Sequence, residues 1–108
     1  GFDELIEQVL VVGEGRPYLS ALVVLNRDAC AQLSIDPDNP DEQTEQLLLQ
    51  RIAKRIDSFP GYAKLHRVAI IRDPWTIDNG LLTPTLKVRR KQILQRYADV
   101  VDAMYHGH

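Results

Sequence analysis

The sequence is poor in sulfur. It holds one cysteine, Cys30, so no intramolecular disulfide can form, and a reducing, cytoplasmic setting is expected. It holds one methionine, Met104. An initiator is therefore absent, and we expect a chain that was processed or cut from something longer. Long apolar runs are also missing. The longest covers residues 21–25, far short of the roughly 18 residues that a spanning helix needs. No basic-then-apolar stretch opens the chain, so no secretory signal is expected. Neither internal repeats nor low-complexity tracts occur. What remains is ordinary for a globular domain: 108 residues, 44% hydrophobic and 26% charged, enough for one domain with one core.

The net charge of −2 hides a strong polarity. Residues 1–50 hold ten acids against Arg16 and Arg27, whereas residues 51–108 hold eleven Lys and Arg against five acids. Such asymmetry points the second half toward an anion or an acidic partner.

The run Val9-Leu10-Val11-Val12 predicts a buried strand over residues 8–12. Gly13-Glu14-Gly15-Arg16-Pro17 reads as a loop, and residues 18–26 as a second strand forming an antiparallel hairpin with the first. Both runs are apolar on both faces, so cover is expected on each side of the sheet. A short helix follows over 27–33, opened by Asn26 or Asp28. Asn39 is the expected cap of the next helix, with Pro40 at its first position. That helix should end near Phe59, before Pro60-Gly61. Residues 66–72 read as a third strand, Asn79-Gly80 as a turn, and residues 88–105 as one final helix. The predicted fold is an α+β sandwich in the order β-β-α-α-β-α, a hairpin and a third strand packed with helices.

Few residues suggest chemistry. Asp36, Asp38 and Asp41 lack the calcium-loop pattern, since Asp41 stands where that loop needs Gly. His106 and His108 are two residues on a tail, too few for zinc, so no metal site is expected. Gly13-Glu14-Gly15 leads into a strand rather than a helix, which excludes a dinucleotide loop. Lys87-Val88-Arg89-Arg90-Lys91 is the strongest feature. Four cations in five residues open a helix, where they oppose the macrodipole. A solvated face is one explanation, and a phosphate or carboxylate partner is the other.

Val11-Val12-Gly13-Glu14-Gly15-Arg16-Pro17-Tyr18, then Leu22-Val23-Val24-Leu25, then the run from Trp75 through Asn79-Gly80-Leu81-Leu82-Thr83-Pro84-Thr85-Leu86-Lys87 resemble the C-terminal domain of AMP-forming long-chain fatty-acid–CoA ligases. Arg96-Tyr97 and Met104-Tyr105 extend the resemblance over nearly the whole chain. It implies a lid domain over residues 1–108 that works against a large N-terminal domain, with a long-chain fatty acid, ATP, Mg²⁺ and CoA as the parent's reactants. None of these would be bound by the lid alone, which should be inactive. The resemblance implies that Lys87 is catalytic in adenylation. Thr83, Pro84 and Thr85 would hold its loop extended, and Arg89, Arg90 and Lys91 would meet CoA phosphates or acids of the large domain. The wider superfamily has Gly directly before this lysine, where this chain has Leu86. Any membrane association would be peripheral and through the parent.

Two rival readings exist. One is a stand-alone regulatory module with the basic cluster as its anion site. The other is a nucleic-acid binder, which the acidic net charge and the separation of the seven aromatics from the basic run disfavour.

Overall fold

The computed structural model describes residues 1–58 and 64–106. Three strands form one sheet: β1 (Ile6–Val12), β2 (Leu19–Leu25) and β3 (Leu65–Ile70), in that spatial order. β1 and β2 pair antiparallel. β2 and β3 pair parallel, which requires a crossover. Helices α1 (Arg27–Gln32) and α2 (Glu42–Ile56) supply it. Two short helices, α3 (Arg90–Arg96) and α4 (Ala98–Ala103), close the chain.

Central β2 is buried from Ser20 to Leu25, and its alternation divides the core in two. Ala21, Val23 and Leu25 face Leu48 and Ile52 of α2. Leu22 and Val24 face Trp75, Ile93 and Val101 on the other side. Both faces are covered, as the continuous apolar runs require. In β1 a register shift between Ile6 and Gln8 reassigns the faces. Ile6 packs toward α2, whereas Leu10 and Val12 pack toward α3 and α4. Each fully buried Leu or Ile contributes roughly 1.5–3 kcal/mol, against about 1 kcal/mol for a helix cap. The apolar stripe therefore places α2, and its cap sets only where it starts.

That start differs from the expected one. The cap is Asp41, not Asn39: its Oδ1 accepts the Thr44 N–H at 2.8 Å and the Thr44 hydroxyl at 2.9 Å. Those bonds hold the Asp41 carboxyl below its ordinary range. Asn39 belongs instead to a separate turn, its N–H bonded to the Asp36 carbonyl. For α1 the cap is Asn26, which accepts from Ala29 N–H. The expected end of α2 at Phe59, with Pro60-Gly61, lies outside the described residues, as does His108.

The single final helix is two helices. It begins at Arg90 rather than Val88, because Val88 bridges back to Leu82. It then breaks at Tyr97, whose φ of −110° and ψ of 26° are not helical. Across that break Val101, Met104 and Tyr105 join the same cluster as Tyr18. The Tyr18 hydroxyl donates to the Met104 carbonyl at 2.6 Å, and the Tyr105 hydroxyl donates to the Tyr18 carbonyl at 2.9 Å. Arg16 lies over the Tyr105 ring at 4.8 Å and pairs with Asp102. The chain end is thus tied to the β1–β2 loop.

The β3 edge is blunted by one carboxylate. Glu45 accepts from the Val68 N–H at 2.8 Å and from Arg67 at 2.9 Å, occupying an edge amide that would otherwise invite another strand. Among the described residues no helix is long and apolar enough to cross a membrane.

Candidate functional site

Residues 71–89 carry the chain from β3 to α3, and they build one feature upon another. Trp75 comes first. Its side chain is 2% exposed, and its backbone is held by the Gln8 side chain. Gln8 Nε2 donates to the Trp75 carbonyl at 2.9 Å, and Gln8 Oε1 accepts the Trp75 N–H at 2.8 Å. The amide behaves as a one-residue strand partner, and it fastens this segment to the sheet.

Asn79 closes the next turn. Its Oδ1 accepts the N–H groups of Thr76 at 2.9 Å and Leu81 at 3.2 Å. Its Nδ2 donates to the Pro74 carbonyl at 2.9 Å, and its own N–H donates to the Thr76 hydroxyl at 3.0 Å. The reciprocal Thr76–Asn79 pair has the logic of a capping box. From above, Arg96 donates to the Asn79 carbonyl at 3.1 Å and Arg89 to the Gly80 carbonyl at 3.3 Å.

A small hairpin rises from this base. Leu82 and Val88 form an antiparallel bridge. The Thr83 N–H donates to the Lys87 carbonyl at 2.8 Å, and the Leu86 N–H donates to the Thr83 carbonyl at 2.8 Å. Residues 84–86 thus form a three-residue loop of the kind that ends on a left-handed residue. That residue is Leu86, with φ of 65°. The expectation that Thr83, Pro84 and Thr85 hold this loop extended is corrected: they make a tight turn. Proline's fixed φ suits the second position of such a turn. The Thr83 hydroxyl accepts the Lys87 N–H at 3.1 Å and shares a hydrogen bond of 3.2 Å with the Thr85 hydroxyl.

Lys87 is exposed at the end of this construction. Its backbone is fixed on both sides, and among the described residues nothing pairs with its amine. The neighbouring cations differ. Arg89 spends one N–H on the Gly80 carbonyl. Arg90 donates to the Val11 carbonyl at 2.9 Å and pairs with Glu14. The Glu14 carboxyl is held below its ordinary range by its own backbone N–H and, against burial, by Arg90. Lys91 is exposed and has no such partner among the described residues. No carboxylate or histidine cluster able to hold a metal occurs among them either.

Sequence reasoning missed Gln8, Thr76 and Asn79. The Thr-x-x-Asn spacing was available as a signal, because it repeats the geometry of a capping box. A lone polar Gln8 beside a four-residue apolar run was another.

Leu86 yields a prediction. A left-handed conformation costs a residue with a Cβ about 1–2 kcal/mol, and glycine's extra chain entropy costs about 0.5–1 kcal/mol. Leu86→Gly is therefore expected to stabilise the domain by up to about 1 kcal/mol, read as a higher urea midpoint. A lower midpoint would mean that other contacts hold the 67%-exposed Leu86 side chain in place.

The model of the family described as AMP-binding enzyme C-terminal domain matches residues 2–108. The chain is 35% identical over 103 residues to the long-chain-fatty-acid–[acyl-carrier-protein] ligase AEE15, chloroplastic, of Arabidopsis thaliana, covering 94% of this chain and 13% of that protein. It is 27% identical over 118 residues to the long-chain-fatty-acid–CoA ligase FadD15 of Mycobacterium tuberculosis, covering 94% and 19%. Among solved structures, the A domain of the carboxylic acid reductase from Segniliparus rugosus, in complex with AMP and a co-purified carboxylic acid, superposes with a TM-score of 0.75 at 29% identity, covering 94% of this chain and 16% of that one. The chain thus spans less than a fifth of the length of these relatives.

Proposed function

Because this chain belongs to the family of AMP-binding enzyme C-terminal domains, we propose that it is the mobile small domain of a two-domain, AMP-forming long-chain fatty-acid–CoA ligase, with Lys87 as its catalytic residue. Its partner is the large N-terminal domain of the same protein, which holds the acyl chain and ATP. In the first half-reaction a carboxylate oxygen of the fatty acid attacks the α-phosphorus of ATP. The bond to the β-phosphate breaks, and pyrophosphate leaves. In the second, the thiol of CoA attacks the acyl carbonyl of the adenylate and AMP leaves.

The first step brings two anions together. An ammonium between carboxylate and α-phosphate offsets their repulsion and stabilises the charge of the transition state. Domain rotation delivers Lys87 for this step and withdraws it for the next. Mg²⁺ arrives with ATP as substrate. Arg89, Arg90 and Lys91 beyond the hairpin meet CoA phosphates or acids of the large domain, with Arg89 and Arg90 also bonding within this domain. The protein works in the cytoplasm, and any membrane contact is peripheral.

The observation that supports this reading is the Lys87 hairpin: an exposed ammonium, unpaired among the described residues, on a backbone built in advance. The test is fatty-acid-dependent exchange of pyrophosphate into ATP. The full-length protein should show it with long-chain fatty acids, and the 108-residue chain alone should show none. Exchange by the isolated chain, or its absence from the full-length protein, would overturn the proposal.

A further inference from the structure

The Lys87 amine has no partner of its own among the described residues, so its place is set by its backbone alone. The turn beneath that backbone is organised largely by one side chain, Asn79. We propose that Asn79 is a positioning residue for Lys87, holding the hairpin at the angle that adenylation requires. The inference rests on the role given to Lys87 above.

The path of support is continuous. The sheet holds Trp75 through Gln8. Asn79 then ties Pro74, Thr76 and Leu81 together through its amide. The Thr76 carbonyl accepts from Leu81 at 3.1 Å and Leu82 at 3.0 Å, which launches the first arm of the hairpin. The second arm returns through the Arg89 N–H to the Leu81 carbonyl at 2.9 Å. The first arm therefore starts at Leu81, which Asn79 itself bonds, and the second arm pairs back onto Leu81 and Leu82. Arg89, just before α3, and Arg96, at its end, donate to carbonyls of the same turn. The inner side of this base packs, through Trp75 and Leu81, in the core cluster. Loss of the Asn79 amide loosens the turn that sets the hairpin's angle, while Trp75 and Leu81 stay packed in the core. A displacement of about 1 Å at a reacting group costs on the order of 10²-fold in rate.

The experiment measures both half-reactions in the full-length protein, with Lys87→Ala in parallel. Asn79→Ala should slow fatty-acid-dependent pyrophosphate exchange by about 10–100-fold, and leave thioester formation from preformed acyl-adenylate within about two-fold. Asn79→Asp keeps an acceptor for the Thr76 and Leu81 amides and should recover most of the rate. Thr76→Val removes a single bond to the Asn79 N–H and should give a smaller loss in the same direction, which covers an alanine variant that does not fold. A full exchange rate in Asn79→Ala beside a slow Lys87→Ala would overturn the positioning role and leave the lysine's role standing. Equal losses in both half-reactions, or no recovery with aspartate, would also overturn it. A full rate in Lys87→Ala would overturn both.

Discussion

Replacing Lys87 by alanine in the full-length protein is expected to slow acyl-adenylate formation by roughly 10²–10³-fold, the scale of removing one charge partner from a transition state. The size follows from where the charge acts. Two unit charges 4 Å apart interact by about 1 kcal/mol in water but about 4 kcal/mol at an effective dielectric constant of 20. In the isolated domain Lys87 stands in solvent, where its charge is worth little. On the proposed reading its effect arises only when the domain closes and water leaves. The substitution should not unfold the domain, because the hairpin is held by its backbone bonds and by the Thr83 hydroxyl. A variant with unchanged unfolding and slowed pyrophosphate exchange is the expected pair of results.

The second large effect is on stability. Trp75→Ala is expected to destabilise the domain by about 3–5 kcal/mol, the usual cost of emptying a large aromatic site. Small domains are stable by only about 5–15 kcal/mol, so this change removes a large share of the total. Trp75 packs in the cluster with Leu10, Leu22, Leu81 and Ile93, where sheet, connecting segment and α3 meet. Trp75→Phe should cost distinctly less. The indole N–H is buried without a hydrogen-bond partner among the described residues, so phenylalanine loses volume but no bond. Urea unfolding followed by circular dichroism measures both variants. Equal losses would contradict packing of the ring as the source of the stability.

The strands were legible because their signal is local. A run such as Ala21-Leu22-Val23-Val24-Leu25 cannot face water on either side, and the structure covers both faces. The cap of α2 was less legible. Asn39 and Asp41 are nearly equal as cap residues, and the choice depends on which one reaches Thr44. The break at Tyr97 is a tertiary effect, since the apolar stripe continues through it with Ile93, Tyr97 and Val101. The candidate site divides in the same way. Lys87 stood out as part of a basic run, and a family resemblance gave it a role. The internal bonds of its neighbours did not stand out. Arg90 reaches Val11 across 79 residues of sequence, and no local pattern encodes that pairing. Asn79 read as a turn residue within the resembling run and received no role, because a turn signal says nothing of the hairpin built upon it.

The most direct measurement is a single turnover of the full-length Lys87→Ala protein supplied with preformed long-chain acyl-adenylate and CoA. The account predicts thioester formation within a few-fold of the unaltered protein, while fatty-acid-dependent pyrophosphate exchange by the same variant stays roughly 10²–10³-fold down. An equal loss in the two half-reactions would contradict a lysine delivered for adenylation and withdrawn for thioester formation.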